Sequence, residues 1–170
     1  RPRRQYGRTV TYRITCVCLG NICRSPMAEA VLRQRLESAG LAHDVVVDSA
    51  GTGGWDAGDD ADPRARATLT AAGYDLSHSA RRFEPGWLES SHLILAMDTD
   101  NYDALLELAE RHDVPADQVR LLRSFDPAAA PGAEVPDPYY GGADGFDDVL
   151  AMIERAADGV VDHVRATLVA

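Results

Sequence analysis

At 170 residues the chain is about one domain long, and its 45% apolar content is enough for a single packed core. All 17 basic residues are arginines, set against 27 acids for a net charge of −10. Five of those arginines and no acid fall in residues 1–13, leaving an acidic body that argues against nucleic-acid binding through clustered cations.

Residues 1–10 read as a basic N-terminal extension, and residues 11–170 as one domain. "RRQYGR" resembles the start of a twin-arginine export signal, but Arg13 interrupts the apolar stretch such a signal needs, and the run that follows reads as a core strand. No stretch of about 18 apolar residues is present, so no membrane span is expected. Lysine-free, alanine-rich composition is associated with bacterial genomes of high G+C content. Three cysteines crowded at one place do not form a secretory disulfide framework, and a reducing cytoplasm fits them best.

Along the chain, "YRITCVCL" (12–19) predicts a buried strand. "SPMAEAVLRQRLESAG" predicts a helix with Ser25 as N-cap, Pro26 at the first helical position and Gly40 just past its end. Its apolar stripe is Ala28, Val31, Leu32, Leu36 and Ala39. A second strand, "HDVVVDSAG", runs into a Gly/Asp-rich loop, and "PRARATLTAAG" is a short helix. "SHLILAM" is the third strand. The helix after it, "DTDNYDALLELAERH", carries Tyr102, Leu105, Leu106 and Ala109 on one face. "QVRLL" is a short fourth strand, followed by a long loop. The last helix holds Phe146, Val149, Leu150, Ile153, Ala157, Val160, Val161, Val164 and Leu168 in register. This alternation predicts an α/β three-layer sandwich: a parallel sheet of about four strands with helices on both faces.

All three cysteines lie in "CVCLGNIC". Structural zinc wants four ligands, usually as two pairs, and here no second cluster exists while Arg24 would press a cation on the metal. Cys16, in mid-strand, reads as a plain buried residue. Cys18 differs, because five residues separate it from Arg24-Ser25 at the junction of a strand and a helix. A loop of that length, Leu19, Gly20, Asn21, Ile22 and Cys23, can curl its backbone N–H groups around one tetrahedral anion, and the helix starting at Ser25 adds the positive end of its dipole. Gly20 permits close approach or positive φ, and Asn21 tolerates left-handed geometry. Arg24 offers a planar fork for two anion oxygens. The same positive surroundings favour Cys18 as a thiolate nucleophile, and Ser25 is placed to donate a hydrogen bond to its sulfur.

"VCLGNICRSPMAEA" resembles the active-site loop of the low-molecular-weight protein tyrosine phosphatases. The likeness continues through "DSAGTGGWDAG", "DPRA", "DLSHSARR", "AMDTDN" and "DPYYGG", in that family's order, from about residue 11 to the end. It implies a four-stranded parallel sheet in the order 2-1-3-4, no metal and no organic cofactor. It also implies hydrolysis of phosphotyrosine in protein substrates through a phosphocysteine, with phosphate and other oxyanions as inhibitors.

Such chemistry needs a proton for the leaving phenolate. Taken alone, Asp137 in "VPDPYYGG" is a turn residue; beside the cysteine loop and the family pattern it becomes the general acid, later activating water. Tyr139, Tyr140 and Trp55 read as walls of a slot for an aromatic ring, deep enough to favour phosphotyrosine over phosphoserine. Without the slot, Trp55 is a loop aromatic packed on the surface. The resemblance assigns Asn21, Ser49, His78 and Asp98 to bracing the loop, although His78 and Asp98 by themselves suit surface or capping roles. It also makes Cys23 the redox partner of an oxidised Cys18.

Two rival readings use the same motif. Arsenate reductases of this fold pass oxidation to further cysteines downstream, and this chain has none after Cys23. A non-catalytic phosphotyrosine-binding module would have lost the cysteine, the arginine or the acid, and all three are present.

Overall fold

The structure, a computed structural model, describes residues 11–142 and 144–169. The basic extension, residues 1–10, lies outside them.

Four parallel strands form the sheet: β1 (Tyr12–Cys18), β2 (Val45–Gly51), β3 (Leu93–Ala96) and β4 (Val119–Leu121), in the order β2-β1-β3-β4. The five helices are α1 (Arg24–Ser38), α2 (Pro63–Ala71), α3 (Trp87–Ser90), α4 (Thr99–Arg111) and α5 (Asp144–Val169). Because successive strand residues face opposite ways, Ile14, Cys16, Leu93 and Leu95 pack with α1, α2 and α5, while Val17, Ile94 and Ala96 pack with α3 and α4. Both faces are covered, which is why β3 and the end of β1, residues 16–18, read as unbroken apolar runs rather than alternating ones. The expected α/β three-layer sandwich and its strand order are those observed.

Two short elements were not legible in the periodicity: α3, and a single 3-10 turn at Leu122–Phe125. Each spans four residues, too few to show a repeat. The start of α1 also differs from expectation. Its N-cap is Cys23, with no side-chain cap hydrogen bond, so Ser25 lies inside the first turn and its hydroxyl is spent elsewhere. Pro26 still sits in that turn, where a missing N–H costs no intrahelical bond. Leu168, at the far end of α5, is exposed rather than packed.

The chain passes from β1 to β2 on one side of the sheet, then crosses to β3 and β4 on the other. Ligands of open α/β sheets bind at such a reversal, beyond the carboxyl ends of the strands. Cys18 ends β1 at that point, Asp98 follows β3 by two residues, and the loop after β4 returns there through Val135 N–H donating to the Met97 carbonyl at 2.7 Å.

Candidate active site

The loop from Cys18 to Arg24 is held by its carbonyls. Thr52 N–H donates to Cys18 O (2.9 Å), Gly53 N–H to Leu19 O (2.9 Å), Asp62 N–H to Ile22 O (2.8 Å) and Met27 N–H to Cys23 O (3.2 Å), while His78 Nε2 donates to Asn21 O (2.6 Å). In a trans peptide C=O and N–H point opposite ways, so outward carbonyls turn the amides inward, toward Cys18. Among the described residues, none of the amides of residues 19–23 donates to a protein acceptor. The result is a nest of N–H dipoles at the start of α1. Positive φ falls on Asn21 (59°). Gly20 serves close approach instead: a Cβ there would lie 2.7 Å from Asp56 Oδ2.

Behind the loop, buried side chains form one hydrogen-bonded chain. Ser49 Oγ donates to the Glu29 carboxylate at 2.6 Å, an acceptor-only group, so Ser49 must accept from Asn21 Nδ2 (2.9 Å). The Asn21 amide is itself oriented, because its Oδ1 accepts the Arg81 N–H at 2.9 Å. Its Nδ2 therefore also donates to Ser25 Oγ (2.9 Å), which leaves the Ser25 proton for Cys18 Sγ, 2.9 Å away. The carboxylate end of the network thus directs a donor at the sulfur.

Arg24 is buried, with Nη1 donating to Asp98 Oδ2 (2.7 Å) and Val135 O (3.0 Å) and Nη2 lying 3.8 Å from Asp137 Oδ2. Burial opposes its charge, but Cys18, Asp98 and Asp137 outweigh it and hold the guanidinium pKa above its ordinary value. Asp98 also caps α4 through Asn101 N–H at 2.8 Å, so one carboxylate fixes both the helix and the arginine. Burial, with Asp62 adding to it, pushes the Cys23 thiol up to about 12, so Cys23 stays protonated beside Cys18. Cys16 is buried in the core and its thiol is likewise pushed up.

A cavity of about 250 Å³ opens over Cys18 and Arg24, walled by Ile22, Trp55, Asp137, Tyr139 and Tyr140. Trp55 lies over Gly53, where a Cβ would collide with its ring, and Tyr139 meets Tyr140 edge-to-face at 4.9 Å. A larger groove, about 680 Å³, runs along the edge strand β2, but it contains no cysteine and no loop of free amides. Of the residues expected from sequence, Trp55, Asp137, Tyr139 and Tyr140 line the smaller cavity with Cys18 and Arg24, while Asn21, Ser25, Ser49, His78 and Asp98 are joined to the loop or to Arg24 by hydrogen bonds. No cluster of three His, Cys, Asp or Glu side chains suited to a metal occurs among the described residues.

Residues 13–169 match the model of the low molecular weight phosphotyrosine protein phosphatase family. The chain belongs to that family. A Streptomyces coelicolor relative named low molecular weight protein-tyrosine-phosphatase is 54% identical over 157 residues, covering 92% of this chain and 95% of the relative. Among solved structures, an Entamoeba histolytica protein tyrosine phosphatase with Hepes in its active site superposes with a TM-score of 0.86 at 33% identity, covering 92% and 99% of the two chains. A Drosophila arginine phosphatase does so with 0.81 at 29%, covering 89% and 96%.

Sequence reasoning missed Glu29, Arg81 and the pair Asp62–Arg64. Glu29 carried a signal: an acid among Met27, Ala28 and Ala30, in a part of α1 that is otherwise packed. Arg64 and Arg81 stand in the family-like stretches "DPRA" and "DLSHSARR", but spacing gave them no role, because their partners lie 75 and 60 residues away.

Proposed function

We propose that this family member is a protein tyrosine phosphatase, with residues 11–170 as its catalytic domain and phosphotyrosine-bearing proteins as substrates. The observation that carries the reading is the ring of inward amides around Cys18, closed by Arg24. The Cys18 thiolate attacks phosphorus, and the bond from phosphorus to the aryl oxygen breaks. The loop amides and Arg24 take the charge of the equatorial oxygens. Asp137 gives its proton to the departing phenolate. Its carboxylate then takes a proton from water as the water attacks the phosphocysteine, releasing inorganic phosphate and the Cys18 thiolate. No step calls on a metal or organic cofactor. Phosphate and similar oxyanions occupy the same nest and inhibit.

The aromatic walls and the apolar Ile22 favour a flat neutral ring in the slot. A nucleophilic thiol works only while reduced, which suits the cytoplasm, and no helix among the described residues is long and apolar enough to cross a membrane. Should peroxide oxidise Cys18 to the sulfenic acid, the Cys23 thiol condenses with it, losing water and forming a disulfide that thiols reverse. If Cys23→Ser recovers from peroxide as well as wild type does, that role is wrong.

The test of the function is hydrolysis of aryl phosphates, a phosphotyrosine peptide and phosphoarginine, in chelator, for wild type, Cys18→Ser and Asp137→Ala. Turnover of the aryl substrates should vanish in Cys18→Ser and fall on the order of 10²–10⁴-fold in Asp137→Ala, least for the most acidic leaving groups. Preference for phosphoarginine would overturn the substrate class, and no turnover would overturn the reaction.

A further inference from the structure

Asp62 and Arg64 have no place in the mechanism above, yet they join its two halves. Asp62 caps α2, and its own N–H donates to Ile22 O in the phosphate loop at 2.8 Å. Its carboxylate, nearly buried, takes a two-pronged contact from Arg64: Nε to Oδ1 at 3.0 Å and Nη2 to Oδ2 at 2.9 Å. The remaining arm of the fork, Nη1, donates to Tyr139 O at 3.1 Å. The guanidinium also lies over the rings of Tyr139 (5.2 Å) and Phe146 (4.8 Å), so both ends of the 139–146 segment press on it. Tyr139 N–H in turn donates to Asp137 Oδ1 at 3.1 Å. A continuous path thus runs from the floor of the nest to the acid: Ile22, Asp62, Arg64, Tyr139, Asp137.

We propose that the Asp62–Arg64 pair is a clasp that holds the acid loop in register with the phosphate loop, making Arg64 a positioning residue for Asp137. It rests on the reading of Asp137 as general acid. The exposed acid loop needs such a tie. Asp137 is the one group of the mechanism with more than a third of its side chain in solvent, and the loop around it contributes little buried apolar surface. Arg64 does not bind substrate in this account, since all three of its nitrogens are committed within the protein. Lysine would replace it only in part, because a single ammonium keeps a charge beside Asp62 but offers neither the fork for that carboxylate nor a flat face for two rings.

The experiment compares kcat/KM for phenyl phosphate, which needs the acid, with that for 2,4-dinitrophenyl phosphate, whose leaving group does not. Arg64→Ala should lose roughly tenfold on the first and less than about twofold on the second, the size expected when a proton donor is displaced and not removed. Arg64→Lys should fall between it and wild type, and inhibition by vanadate should not change, since the nest is intact. In an Asp137→Asn background, Arg64→Ala should cost nothing further on phenyl phosphate. An unchanged rate, an equal loss on both substrates, or a loss that adds in full to Asp137→Asn would overturn the clasp while leaving the phosphatase reading in place. Absence of Cys18-dependent turnover in folded wild type would overturn that reading and the clasp with it. If Arg64→Ala does not fold, Arg64→Gln, which keeps a donor for Tyr139 O, carries the same comparison.

Discussion

Replacing Ser25 by alanine removes the donor aimed at Cys18 and little else: the residue is fully buried, and its oxygen touches Cys18 Sγ and Asn21 Nδ2, each at 2.9 Å. A hydrogen bond to a charged group contributes about 1.5–3 kcal/mol. At ~1.36 kcal/mol per decade that is roughly 10- to 150-fold in rate. Where the loss falls can be worked out from the direction of the bond. In the first step of the proposed mechanism attack begins from the thiolate, so the donor would stabilise the ground state as well as the transition state, and its removal would have little net effect. In the second step sulfur departs from phosphorus and regains its charge, so the whole contribution is felt. Ser25→Ala should therefore lower kcat far more than kcat/KM and let the phosphocysteine accumulate. Rapid-quench measurement with 4-nitrophenyl phosphate should show a burst of nitrophenol near one equivalent per site, followed by a slow rate that is the same for all aryl phosphates. If kcat and kcat/KM fall in parallel with no burst, Ser25 does not assist departure of the sulfur and the assignment of its proton is wrong.

Glu29→Gln converts the Ser49–carboxylate bond to a neutral one and no longer forces the polarity of the network; stability should drop by about 1 kcal/mol in denaturant unfolding. Its kcat should fall in the same pattern as Ser25→Ala, and an unaltered kcat would contradict the polarity argument. Iodoacetamide at pH 7, read by peptide mass, should modify Cys18 and spare Cys16 and Cys23, whose thiols are pushed up by burial. The same shift has a stability consequence. Between the ordinary value of 9.0 and about 12 the unfolded chain releases the Cys23 proton while the folded one keeps it, so folding stability should fall as pH rises through that window. Cys23→Ala should flatten the fall. Gly159→Ala would drive a Cβ into the Phe125 carbonyl oxygen, where α5 meets the 3-10 turn, and should cost about 3 kcal/mol through overpacking. A melting temperature equal to wild type would show that the helix can shift aside.

What the sequence made legible follows the range of the interaction. Cys18, the loop and Arg24 are contiguous, and their chemistry can be worked out from spacing alone. Strand positions followed from apolar runs, and α5 from its long helical stripe. Ser25 misled for a physical reason: serine before proline satisfies the capping rule, yet here the hydroxyl is more useful against sulfur, and Cys23 at φ −120° and ψ −83° turns the chain into the helix instead. The stripe on α1 was incomplete because Met27 and Ala30 are buried along with the expected face, the helix lying between the sheet and two other helices. Asp98 to Arg24 spans 74 residues, and only the resemblance to a known family pointed to it. Arg64 and Tyr139 each stand in a stretch that carries the resemblance, but nothing in the spacing pairs them, and the contact exists only once the fold closes.

In the proposed mechanism Arg24 would link binding to acid catalysis. Asp98 and the Val135 carbonyl take up Nη1, so the guanidinium cannot swing, and Nη2 is the arm that lies near Asp137. A phosphate dianion settling into the nest would take its bonds from that arm and from the loop amides. Asp137 would then have the bound dianion beside it as well as the guanidinium 3.8 Å away. In the first step of that mechanism the proton of Asp137 passes to the departing aryl oxygen. Once the aryl oxygen has left with the proton, the phosphoryl group on sulfur carries less negative charge toward Asp137 than the dianion and thiolate together. The carboxylate is then free to act as base toward water. In the proposed mechanism one fixed arginine and one loop-borne acid serve both half-reactions, which requires the loop to be held within reach, the role proposed for the Asp62–Arg64 pair.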